Sequence, residues 1–81
     1  MATATVTRQS VRLNTGGPDE EGCLVFVDGK LVAVLVRLST EHGDAAGRWF
    51  LEHGFGPLDT PEQPLFEDLG AAERWIAGQV P

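Results

Sequence analysis

The sequence predicts an α+β fold, an antiparallel β-meander of three to four strands packed against one C-terminal helix, in the order β-β-β-β-α. Three observations carry this expectation. Two β-rich runs flank the dipeptide Asp28-Gly29; two further runs, one rich in β-branched residues and one in aromatics, lie before and after them; and Leu69, Ala72, Ile76 and Val80 recur at three- and four-residue spacing near the end. The 81 residues are expected to form one small domain, residues 1–81.

The first strand is expected over about residues 3–13, where Thr3, Thr5, Val6, Thr7 and Val11 supply β-branched side chains that suit a pleated surface. The segment NTGGPDEEG that follows holds three glycines, a proline and three consecutive acids, the composition of a loop. Strands over 23–28 and 30–39 then form a hairpin. Asp-Gly supplies the two positive φ angles of a type I′ turn, whose twist matches the strands it joins.

A strict two-residue turn sets Val27 opposite Lys30, Phe26 opposite Leu31, Val25 opposite Val32, Leu24 opposite Ala33 and Cys23 opposite Val34. One face then carries Leu24, Phe26, Leu31, Ala33 and Leu35. The other carries Cys23, Val25, Val27, Val32, Val34, Val36 and Leu38. Both are apolar, whereas a sheet with one wet face alternates with polar residues, so both faces call for a cover.

A turn at 41–47 leads to a strand over 48–55, RWFLEHGF. With Gly43 opposite Arg48, the residues Trp49, Leu51, His53 and Phe55 join the Val-rich face and Phe50 the other; His42 then opposes Trp49, and His53 opposes Leu38. Residues 56–64, GPLDTPEQP, contain three prolines and read as a stiff extended crossover. The helix is expected over about 69–80, with Asp68 as its N-cap and the stripe named above as its buried side.

One short helix covers one face. Either the crossover folds back over the second face or another chain covers it, and a symmetric dimer is the favoured outcome. A folded domain of this mass exposes roughly 4,700 Å², and a standard contact hides about 800 Å² per partner. The candidate interface residues are Val25, Val32, Val34, Val36, Leu38, Trp49, Leu51 and Phe55.

Composition excludes several classes. Six Lys and Arg against twelve Asp and Glu give a net charge of −6, which repels phosphate backbones and anionic membranes. Arg8, Arg12 and Arg37 are the only basis for nucleic-acid contact, too few in an acidic background. The start MATATVTRQSV has neither a basic region nor an apolar signal core, no run is long enough to span a bilayer, and the single Cys23 forms no internal disulfide. These features predict a cytoplasmic protein. Five Arg to one Lys, with abundant Ala and Gly, is the composition of a GC-rich bacterial genome.

Catalytic motifs are lacking. Glu-His-Gly occurs twice, at residues 41–43 and 52–54, and His42, Asp44 and His53 are the only candidate metal ligands, at a spacing that does not bring the imidazoles together. Cys23 has no basic neighbour to activate it. No nucleophile elbow or phosphate loop is present, and no cofactor is expected. The sequence thus predicts a small acidic protein, not an enzyme, that works by protein–protein contact as a homodimer or accessory subunit. The alternative is a small-ligand or metal-binding protein using the loops near His42 and His53.

Overall fold

Asp28 and Gly29 adopt φ angles of 51° and 82°, the turn the dipeptide predicts. Around this hairpin the computed structural model, which describes residues 5–14, 16–59 and 64–79, builds an antiparallel meander of five strands in sheet order β1-β2-β3-β4-β5. They are β1 (Val6–Arg12), β2 (Glu21–Val27), β3 (Lys30–Arg37), β4 (Trp49–Gly54) and β5 (Leu65–Phe66), and the helix α1 (Leu69–Gln79) follows. The class is α+β, with one more strand than the sequence suggests.

The extra strand lies in the segment assigned to the crossover. Its first residues, Gly56–Leu58, make a 3₁₀ turn, and the part at 60–63 lies outside the described residues. Pro64 lacks an N–H, but its carbonyl accepts from Leu51 N–H at 3.1 Å and starts the pairing of β5 with β4. The turn expected at 41–47 is instead largely a second 3₁₀ segment, Thr40–Ala45. Residues 1–4 and 80 also fall outside the described set, so the predicted contributions of Thr3 and Val80 do as well.

Register departs from the strict hairpin after two pairs. Val27 opposes Lys30 and Phe26 opposes Leu31 as expected, but Val25 opposes Ala33, Leu24 opposes Val34 and Cys23 opposes Leu35. Val32 is the extra residue of a β-bulge, and beyond it β3 exchanges its two faces relative to β2. The gain is in the core: Ala33 and Leu35, both fully buried, stack beside Val25 and Cys23. A second irregularity leaves Glu52 unopposed in β4, so Val34 opposes His53 while Leu35 opposes Leu51 and Arg37 opposes Trp49. The expected pairs of His42 with Trp49 and His53 with Leu38 therefore do not form.

Helix α1 begins at the predicted cap. Asp68 Oδ1 accepts from Ala71 N–H at 2.7 Å, satisfying one of the unpaired donors of the first turn. Ala72 and Ile76, one turn apart, pack into a core with Cys23, Val25, Val27, Ala33, Leu35 and Leu51. Full burial of a side chain such as Ile76 or Leu35 contributes about 1.5–3 kcal/mol. Trp75 tilts against Phe66 with ring centroids 5.6 Å apart, joining the helix to β5. No described helix is long and apolar enough to cross a membrane.

Candidate functional site

The helix covers the face that carries Cys23, Val25, Val27, Ala33 and Leu35. The opposite face is built from cross-strand neighbours: Leu24, Val34 and His53 in one row, Gly22, Val36 and Phe50 in the next, Phe26 and Leu31 nearer the hairpin turn. Thr7, Gln9 and Val11 extend it onto β1. Among the described residues no helix packs on this face. Leu24, Phe26, Leu31, Val34 and Phe50 are only partly buried, and Val36, 4% exposed, stands apart from the core beneath α1.

The candidate interface residues are divided between these surfaces. Val25, Trp49 and Leu51 lie in the core under the helix, and Val32, the bulge residue, packs partly against that core. Val34, Val36 and Leu38 lie on the open side. Phe55 is 43% exposed, its ring edge-on to His53 at 4.5 Å. Leu24, Phe26 and Leu31, which the strict register sets apart from Val34 and Val36, share their face because of the bulge at Val32, and Phe50 joins them because the loop after β3 sets it opposite Val36.

At the end of β3 the open face deepens into a cavity of about 490 Å³, floored by Val36, Leu38 and Phe50 and rimmed by Asp19, His42 and Glu52. Its wall is held by a polar link. Asp19 Oδ1 accepts from Ser39 N–H at 2.7 Å, while Asp19 Oδ2 lies 2.7 Å from His42 Nε2. The Ser39 N–H and the His42 ring hold the Asp19 carboxyl below the usual carboxylate range. An acid that reads as part of a solvated run is thus the anchor between two loops. Only its position, beside Pro18 at the bend back toward β2, hints at such a role.

His42, Asp44 and His53 do not assemble. His42 engages Asp19, His53 sits beside Val34 and Phe55, and among the described residues no three His, Cys, Asp or Glu form a group that could hold a metal ion. Cys23 is 1% exposed, and burial pushes its thiol up, away from the reactive thiolate. The three arginines considered for nucleic acid each face an acid: Arg8 with Glu73, Arg12 with Glu20 and Arg37 with Glu21. No protein-family model matches this chain, and neither does a curated protein or a solved structure.

Proposed function

We propose that this is a small non-catalytic protein that acts through protein–protein contact, as a homodimer or accessory subunit, with the open sheet face as its docking surface. The observation that carries the proposal is the cluster of Leu24, Phe26, Leu31, Val34 and Phe50, each partly exposed on a face that, among the described residues, no helix covers. Contiguous apolar surface of this kind marks interaction sites, and the aromatic Phe26 and Phe50 are of the residue type enriched in contact centres. The composition suits a bacterial cytoplasm, where one buried unpaired thiol stays reduced.

Sedimentation velocity at micromolar concentrations tests the proposal, together with Val34→Lys, which sets a charge at the centre of the face. Concentration-dependent association, or binding of an apolar dye, that Val34→Lys weakens is the expected result. A strict monomer that binds no dye overturns it. The cavity beside Asp19 and His42 supports a second reading, a small apolar ligand seated on Val36, Leu38 and Phe50. Its volume falls in the range of about 300–1,000 Å³ usual for such sites. Under that reading a small ligand raises the melting temperature and Phe50→Ala removes the rise.

A further inference from the structure

Among the described residues nothing pairs with the outer edge of β1, a surface distinct from the open face. β1 lies at the end of the sheet order, and its seven residues, VTRQSVR, contain no proline or glycine. Its pairing with β2 runs from Val6 to Arg12 without a bulge. Sheet edges are normally blunted by shortness, proline, bulges or free charge, because unpaired N–H and C=O groups template another strand. The opposite edge has such protection, since the two-residue β5 and the Pro64 carbonyl cover β4. The two charged side chains of β1 already have partners in the same chain, Arg8 with Glu73 and Arg12 with Glu20.

The backbone shows which residues offer their bonds outward. Thr5 accepts at its carbonyl from Asp28 N–H and donates its own N–H to Asp28 Oδ1, and Leu13 N–H donates to the Glu20 carbonyl. Odd-numbered residues therefore bond toward β2. By the two-residue period of a strand, Val6, Arg8, Ser10 and Arg12 point their N–H and C=O groups at the free edge.

We propose that β1 pairs antiparallel with β1 of a second copy, about a two-fold axis through Gln9. In this register Val6 faces the second copy's Arg12 and Arg8 faces the second copy's Ser10, so all four outward residues of each chain are used, in about eight backbone hydrogen bonds. The neighbouring registers do worse. An axis through Arg8 sets Arg8 against itself, an axis through Ser10 sets Arg8 against Arg12, and both place like charges directly opposite. An axis between residues sets outward groups against inward ones and forms no ladder. This is the one register that uses all four outward residues of each chain and sets no like charges directly opposite, and a closed two-fold pair leaves no free β1 edge. The two meanders become one ten-stranded sheet, with both helices on one side and both open faces on the other.

Cysteine cross-linking reads this register: Thr7, Gln9 and Val11 project from β1 on the open side, so the pattern across the three positions decides and no single cross-link does. Opposed residues in a non-hydrogen-bonded pair have Cα atoms about 4.5 Å apart, within the span a disulfide accepts. Gln9→Cys is therefore expected to yield mostly covalent dimer under mild oxidation. Thr7→Cys alone and Val11→Cys alone stay monomeric on denaturing gels, because each thiol is about 13 Å from its own copy, but a mixture of the two cross-links. Ser10→Pro removes one of the N–H groups that the strand period points outward and is expected to abolish the β1 pairing in sedimentation. If Gln9→Cys cross-links no faster than Thr7→Cys, the proposal is overturned. It is equally overturned if a folded Ser10→Pro protein associates like the wild type. Should Ser10→Pro fail to fold, the cysteine series still decides. Loss of association in Val34→Lys with unchanged Gln9→Cys cross-linking separates the open face from this edge.

Discussion

His42 Nε2 lies 2.7 Å from Asp19 Oδ2, tying the 3₁₀ segment after β3 to the loop after β1 across 23 positions of sequence. The same carboxylate also accepts from Ser39 N–H, so one acid closes the wall of the cavity at both levels.

This acid gives the fold a specific acid sensitivity. Because Asp19 is held below the ordinary aspartate pKa of about 3.9, the stability it contributes is complete above that value and is lost as pH falls through the lower folded-state value. Asp19→Asn is expected to lower the urea midpoint at neutral pH. The gap from wild type closes as the pH is taken well below the ordinary aspartate range, and a gap that stays constant with pH would contradict the assignment.

Cys23 is expected to be silent in the native state. At 1% exposure, with its thiol pushed up by burial, it reacts with an aromatic disulfide reagent only when the sheet opens. Labelling in buffer is predicted to be slow, and to reach the rate of a free thiol in denaturant. Fast labelling under native conditions would show that β2 is not packed as described.

Two apolar truncations should separate core from surface. Ile76 is fully buried between helix and sheet, and Ile76→Ala is expected to cost about 2–5 kcal/mol. Phe55, large but 43% exposed, sets its ring edge-on to His53, and Phe55→Ala is expected to cost far less than Ile76→Ala, about 1 kcal/mol or below. Chemical denaturation of both proteins checks the pair; equal losses would place the core elsewhere.

Gly54 ends β4 where the chain turns back into the 3₁₀ turn at Leu58. A Cβ on Gly54 would sit 2.6 Å from the Leu58 carbonyl carbon, a backbone atom that no side-chain rotation relieves. Gly54→Ala is predicted to cost about 1–3 kcal/mol and to loosen Leu58, which is 1% exposed. A melting temperature equal to wild type would show that this turn yields freely.

The hairpin, the helix and the class of fold were legible because each rests on local chemistry: Asp28-Gly29 for the turn, Asp68 with Ala72 and Ile76 for the helix. The faces were harder. Parity counting carries Val25 opposite Val32, and nothing in the run KLVAVLVR marks Val32 as the residue that steps out of line, since no glycine or proline stands there. That one step set Val34 and Val36 beside Leu24; the 3₁₀ segment after β3, which leaves Trp49 opposite Arg37 instead of His42, then put Phe50 with them and kept Trp49 and Leu51 with Val25 under the helix. β5 was hidden among prolines because its pairing uses a proline carbonyl rather than a proline N–H. Asp19 was hidden because its partners Ser39 and His42 are distant in sequence and adjacent only once β3 has returned past the first loop.

The two bulges also set how this sheet tolerates changes in chain length. Because Val32 opposes no residue of β2, deleting it would bring Leu31 and Ala33 together while keeping the pairs Phe26 with Leu31 and Val25 with Ala33, at the loss of the bond from Phe55 N–H to the Val32 carbonyl. Deleting Glu52 would likewise preserve Val34 with His53 and Leu35 with Leu51. A deletion at Val34 or Leu35 would instead turn the rest of β3 inside out, moving apolar side chains to the wrong layer. Insertions and deletions in related chains are therefore expected to gather at these two points, where β3 and β4 each carry one residue to spare.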